Sequence, residues 1–265
     1  MESSVSVIVP VYNAEKTLDS CLDSVLSQDW PNLSVFAMDN KSTDASASIL
    51  SKHAAKDNRL HVGFVSSSGV SRTRNAALAM ANSRYICFVD SDDILPENSI
   101  RSRVEAIESS DAELVIAPYS NLIENASIAT CEMIREGDNI TADEYLTHLS
   151  EYPNHYYYSA LWNKLYRTDI LRSHHIRFDE TLLWGEDFMF NVTYARYIRL
   201  VSVLHTPVYK YNRSLSGLSG QSGFMAFRHP VRNFKARAQM YSALQQLFGP
   251  EESKKLLAAF LKPTV

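Results

Sequence analysis

Five short apolar runs, each ending in a polar turn and each parted from the next by a helical pattern, constrain this chain more than any other feature. Residues 5–9 are β-branched and stop at Pro10; residues 33–38, 60–65, 85–89 and 114–118 repeat the theme. Runs of this length and composition read as buried strands. Between them, Leu18, Leu22, Val25 and Leu26 recur at helical spacing, Ser42-Thr43-Asp44 offers N-cap chemistry for a helix through Lys56, residues 71–82 are Ala-rich, and Pro96 can open a helix to about Glu108. Alternation of this kind implies an α/β fold: a doubly wound, mostly parallel sheet flanked by helices. Ligands of such sheets sit beyond the carboxyl ends of the strands. Tyr12-Asn13, Asp39-Asn40 and the acids from Asp90 to Asp93 each directly follow an apolar run, so polar groups gather at that end.

After about residue 118 the rhythm changes. Residues 141–149 read as a capped helix, 154–167 are rich in aromatics, 186–198 form another helix and 201–211 are strand-like. Residues 214–223 hold Ser and Gly with few anchors and read as a loop, followed by two C-terminal helices over 231–248 and 251–261. The 26 basic and 30 acidic residues give a net charge of −4, which excludes the basic stripe of a nucleic-acid-binding protein. Cys21, Cys87 and Cys131 match neither a zinc site nor a disulfide framework and read as reduced thiols. The first residues lack a basic region before their apolar run, and no apolar stretch approaches the roughly 18 residues of a spanning helix. A cytoplasmic protein is the expectation, with the sequon at Asn125 an accident of composition.

Asp90-Ser91-Asp92 carries the most chemistry. Two carboxylates two residues apart at a strand end can converge on Mg²⁺ or Mn²⁺, which favour carboxylate oxygens and keep places for water and phosphates. Such a cation would neutralise a diphosphate leaving group. The same three residues also suit a plain polar turn with an N-cap.

The wider pattern decides between these. Val7-Ile-Val-Pro-Val-Tyr-Asn13, Asp39-Asn-Lys-Ser-Thr-Asp44, Gly69 with Arg74-Asn75, Phe88-Val-Asp-Ser-Asp-Asp93, Trp162-Asn-Lys-Leu-Tyr166 and Trp184-Gly-Glu-Asp187 occur in this order. Together they resemble the signatures of family 2 glycosyltransferases with the GT-A fold, in the style of bacterial enzymes that build capsules, exopolysaccharide or lipopolysaccharide.

That resemblance implies the remaining roles. Pro10, Val11 and Tyr12 would line the nucleotide pocket, with Tyr12 stacking on the base. Asp39 and Asn40 would face the nucleobase; the family usually has an acid where Asn40 stands. Asp only accepts hydrogen bonds, whereas Asn both accepts and donates, so base identity stays open although a UDP-sugar is the expected donor. Arg74 would sit near the donor phosphates or the Asp motif, and Ser91 lies within that motif. Asp90 would touch ribose or metal, Asp92 would ligate the metal directly, and Asp93 would act through water or cap the following helix. Asp187 would be the general base, with Glu186 orienting it or holding acceptor. Trp162 and Lys164 would line the acceptor side or belong to the core, and Trp184 would stack on a sugar ring. Arg213 and Ser216 would close over the diphosphate, and His205 is a further candidate near the metal.

The resulting expectation is an inverting transferase using a nucleotide sugar and Mn²⁺ or Mg²⁺. The acceptor would be a growing glycan, on a polyprenyl lipid where the enzyme meets the inner face of the membrane. Residues 1–118 would form the nucleotide-sugar half, 119–215 the acceptor and base half, and 216–265 a loop with a helical extension. That extension, with Lys254, Lys255, Leu256 and Leu257, would touch lipid or pack on the domain. A nucleotidyltransferase would need a Gly-rich basic loop where Pro10-Val-Tyr-Asn-Ala14 stands. The other alternative is an inactive glycan-binding module on the same fold. No Gly-x-Gly-x-x-Gly follows the first strand, which argues against a dinucleotide enzyme.

Overall fold

A computed structural model describes residues 2–66, 68–123, 126–134, 137–182, 184–212 and 230–260. The chain opens with β1 (Val5–Val11), α1 (Leu18–Leu26), β2 (Leu33–Asp39), α2 (Ser46–Ala54), β3 (Leu60–Phe64), α3 (Val70–Met80), β4 (Tyr85–Phe88), α4 (Ser99–Ser110) and β5 (Leu114–Ile116). The apolar runs thus become strands as their composition demands. α2 starts later than expected: Ala45 is its N-cap and makes no side-chain cap bond, while Asp44 accepts from the Ser46 amide. α4 likewise begins at Ser99 rather than Pro96, after Asn98 adopts a left-handed conformation.

The second half contributes β6 (Tyr119–Ile123), β7 (Ala126–Cys131), β8 (Asn139–Thr141), α5 (Ala142–Glu151), α6 (Tyr156–Ser159), β9 (Lys164–Arg167), α7 (Thr168–Ser173), α8 (Glu186–Ala195), β10 (Leu200–Val203), β11 (Lys210–Asn212), α9 (Pro230–Leu247) and α10 (Pro250–Phe260). Thr141 and Glu144 close a reciprocal capping box at the start of α5.

Eight strands form the central sheet in the order β3-β2-β1-β4-β9-β5-β10-β8. β3, β2, β1 and β4 are parallel, as alternation with helices requires. β9 then enters antiparallel to both neighbours, pairing Ile86 with Tyr166 on one side and Leu114 with Tyr166 on the other. β10 runs parallel to β5, and β8 antiparallel to β10. A three-stranded sheet, β11-β6-β7, stands apart, so the expected strand over 201–211 is two strands in two sheets. Pro10 is tolerated inside β1 because pairing with β4 stops at Ile8↔Phe88. The Ile8 carbonyl faces β4 and that of Val11 faces β2, so Pro10 directs its missing donor past the end of β4.

The core is continuous from Val5, Val7 and Val9 of β1 through Phe88 of β4 to Tyr166, Phe190 and Tyr194. Phe178 and Phe190 stack at 4.3 Å, and Phe88 meets both edge-on. α10 packs on α5 and α9, with Leu256 buried and Leu257 half-buried. Of the two alternatives for this extension, lipid contact or packing on the domain, Leu256 and Leu257 take the second, because an amphipathic stripe buries equally well against protein. Among the described residues no helix is long and apolar enough to cross a membrane.

Candidate active site

The site forms where β1, β2 and β4 end and where α3 and α8 begin. Gly69 precedes α3 at φ 144°, a conformation that residues with a Cβ rarely adopt, and its amide donates to Asn40 Oδ1 at 2.8 Å. Gly185 precedes α8 in the left-handed conformation at φ 80°, which turns the chain so that Glu186 and Asp187 occupy the first helical turn. Carboxylates there are favoured by the helix dipole.

Arg74 joins the two halves. From α3, only 5% exposed, its Nη1 donates to Asp187 Oδ1 at 2.6 Å and to Glu186 Oε1 at 3.4 Å. Its Nη2 donates to Asp90 Oδ1 at 3.2 Å. One guanidinium thus bridges the Asp90 turn after β4 and the acidic start of α8, 113 residues further along the chain than Arg74. The ring of Phe178 lies 5.4 Å from the guanidinium carbon. Burial would lower the pKa of Arg74, but Asp187, Asp90 and Glu186 outweigh it and hold the group above its ordinary value. Burial pushes Asp187 up to about 7; Arg74 and Lys164 oppose that rise, and Glu186 and Asp90 add to it. The carboxylate remains 28% exposed, so it can still meet a substrate.

The Asp90 turn is tied on all sides. Its carbonyl accepts from Cys21 Sγ at 3.5 Å and that of Ser91 from Thr17 Oγ1 at 3.0 Å, which leaves Ser91 buried. Burial, with Asp90 beside it, lifts Asp92 to about 6. Asp93 is fully buried; Tyr209 Oη donates to it at 2.7 Å and the Asn212 amide at 2.7 Å. The expectation that Asp93 reaches a metal through water is corrected accordingly, because both its oxygens are used inside the protein. Asp90 and Asp92 suit Mg²⁺ or Mn²⁺, since two crowded carboxylates lose their mutual repulsion on a cation whose other ligands are phosphate oxygens and water. Among the described residues no group of three His, Cys, Asp or Glu is arranged around a metal by itself.

Tyr12 is 46% exposed at the end of β1, and Pro10 is half-buried beside it. Val11 is corrected: its side chain is fully buried in the core and its carbonyl accepts from the Asn40 amide at 2.7 Å. Asp39 is buried and its carboxylate binds the backbone and hydroxyl of Ser42, which fixes the turn. Asn40 is half-buried; a backbone amide only donates, so its Oδ1 must face Gly69 and its Nδ2 is turned elsewhere.

Trp162 and Lys164 take the core alternative, a correction to the acceptor-wall expectation. Trp162 stacks on Tyr209 at 4.4 Å and meets Tyr119 edge-on. Lys164 is fully buried, with Nζ on the carbonyls of Tyr157 and Ala160 and on Asn163 Oδ1 at 2.6 to 3.2 Å. Burial lowers its pKa well below the ordinary lysine value. Trp184 is 39% exposed just before α8. His205 pairs with Glu132 and the Gly137 carbonyl. Arg213 and Ser216 lie outside the described residues.

Sequence reasoning missed several supports. Asn75 holds Phe178 through its amide and carbonyl at 2.9 Å each. Asn191 donates to the carbonyls of Asp187, Ser159 and Ala160 and accepts from Tyr166 Oη. A polar Asn at an apolar helix position is a readable sign of such a role for Asn191, one turn after Asp187.

Comparisons with known proteins bear on the family and the fold. The model of the family described as Glycosyl transferase family 2 matches residues 6–178. EpsH of Bacillus subtilis is 27% identical over 97% of this chain and 74% of its own length. Glycosyltransferase GlyA of Streptococcus pneumoniae is 28% identical over 83% of this chain, but the chain spans only 32% of GlyA. The crystal structure of S. aureus TarS 1-349 in complex with UDP-GlcNAc superposes with a TM-score of 0.76 at 25% identity, over 97% of this chain and 71% of that one.

Proposed function

Because this chain belongs to glycosyl transferase family 2 and carries the GT-A fold, we propose that it moves a sugar from a nucleoside diphosphate sugar to an acceptor hydroxyl with inversion. The single observation that carries the reading is Arg74, which ties Asp90 of the donor-side turn to Asp187 of the acceptor-side helix.

Pro10 and Tyr12 form one wall of the donor site, with Tyr12 as stacking platform; Asp39 and Asn40 close its base end, and Val11 and Ser91 contribute through backbone. Residues 1–118 form this donor half, 119–215 the acceptor half and 216–265 the extension. A UDP-sugar is the donor, a choice supported by the UDP-GlcNAc complex of TarS. Asp90 and Asp92 would hold Mn²⁺ or Mg²⁺, which would supply charge neutralisation for the diphosphate. Arg74 stabilises the same charge from its own side, and its preorganised guanidinium needs no rearrangement as the charge develops. Asp187 accepts the acceptor's proton as the hydroxyl oxygen attacks the anomeric carbon and the bond to the diphosphate breaks. Such a base contributes roughly 10²–10⁴-fold, and a pKa near 7 suits it to neutral pH. Glu186 holds the acceptor, and Trp184 offers a face for its sugar ring. The acceptor is a glycan of the bacterial surface, built on a polyprenyl carrier at the cytoplasmic side of the membrane; the cell-envelope polymers in relatives' names support this, among them poly(ribitol-phosphate) for TarS.

The test is Asp187→Asn. UDP-sugar binding, read by calorimetry with MnCl2, should stay within about threefold of the parent while transfer falls at least 100-fold, the lower edge of the general-base contribution. Transfer at the parent rate would remove Asp187 as base.

A further inference from the structure

Tyr209 belongs to none of the motifs above, yet its hydroxyl is the hub of the Asp90 turn. It is fully buried, accepts from the Asp90 amide at 3.0 Å and donates to Asp93 Oδ2 at 2.7 Å. A phenol can do both at once, which neither a carbonyl nor an amide N–H can. Asn212, three residues beyond Tyr209, completes the clasp: its amide donates to Asp93 Oδ1 at 2.7 Å and its Nδ2 to the Asp92 carbonyl at 3.2 Å. Every acid of the turn is thereby tied to residues 209–212. Tyr209 is itself seated by Trp162, whose ring lies parallel to it at 4.4 Å and 11°.

We propose that Tyr209 is a positioning residue that sets the Asp90–Asp92 turn for its cation, with Trp162 as its seat. The inference rests on the reading of that turn as a metal and diphosphate site. Without the phenol oxygen, the Asp90 amide and the Asp93 carboxylate each lose a buried partner. The turn then samples other backbone conformations, and the two carboxylates offered to the cation lose their fixed spacing. The Trp of the 162–166 motif accordingly acts on the donor side, through Tyr209.

The experiment is a melting series with UDP and increasing MnCl2, which reads metal binding without any transfer. The parent should be stabilised by UDP only as Mn²⁺ is added. Tyr209→Phe should need about three- to tenfold more Mn²⁺ for half of that effect, the size expected for losing one or two buried hydrogen bonds. Asp93→Asn, which keeps volume and the Asn212 contact, should shift the midpoint in the same direction and decides the matter if Tyr209→Phe does not fold. A merely structural role would lower the ligand-free melting temperature and leave the Mn²⁺ midpoint in place. Midpoints within twofold of the parent in the folded variants would overturn the positioning role and leave the site reading intact. A parent with no Mn²⁺-dependent response would remove the metal reading and the positioning role together.

Discussion

Replacing Arg74 by Met removes the cation from beneath three carboxylates while keeping an apolar stem over Phe178. Fully desolvated, each charge-assisted contact would contribute ~1.5–3 kcal/mol. Asp90, Glu186 and Asp187 are 32%, 20% and 28% exposed, so water screens part of that. Breaking a buried ion pair by deleting one partner costs about 3–5 kcal/mol, and with this screening the loss is set at about 3 kcal/mol. For a chain of this size that lowers the melting temperature by about 6–12 °C. The sign with pH is fixed by the carboxylates. Asp187 already sits at about 7 against an ordinary 3.8, and it rises further once Arg74 no longer opposes burial. A carboxyl raised on folding contributes fully below its unfolded value, and that contribution is lost as pH rises through the folded value. The deficit of Arg74→Met should therefore be several degrees larger at pH 8 than at pH 5, measured by calorimetric melting in one buffer series. A variant that melts within 2 °C of the parent at pH 8, or with the same deficit at both pH values, would refute the central role of this bridge.

Three further outcomes are expected. The kcat/KM profile of transfer should bend downward below about pH 7, where Asp187 takes up its proton, and a profile flat to pH 5 would exclude that base. Asp92→Ala should abolish the Mn²⁺-dependent part of UDP stabilisation in a thermal melt while the ligand-free melting temperature stays level or rises, since burial already disfavours the charged carboxylate. Lys164→Met should cost about 1–3 kcal/mol of stability, because the carbonyls of Tyr157 and Ala160 lose their donor, and a denaturant titration reads that loss.

The first half of the central sheet was legible because its strands are buried and the polar residues of the candidate site follow them directly in sequence. β1, β2 and β4 emerge as written, and Arg74, Asp90 and Asp187 meet although only motif order linked them. β9 was not legible: Lys164, Leu165, Tyr166 and Arg167 show neither clean alternation nor a β-branched run, and their strand is made by two partners distant in the chain. The same limit applies to Tyr209, whose neighbours offer no local periodicity and whose role exists only once β11 lies beside the 90–93 turn. Trp162 and Lys164 read equally as wall or interior, since aromatics and long amphipathic stems suit both, and the burial that settles it is a tertiary fact. The burial of the Val11 side chain has a simpler reason: alternation along β1 sends it to the opposite face from its neighbours.

The antiparallel insertion of β9 has a consequence for how the molecule can be made. β5 has β9 on one side and β10 on the other. During synthesis the first four strands can zip together as they appear, but residues 114–116 wait, with both edges bare, for the ribosome to deliver residues 164–167 and then 200–203. Cutting the gene at residue 118 would thus leave the first fragment with the open edge of β4 and a homeless fifth strand, prone to stick to copies of itself.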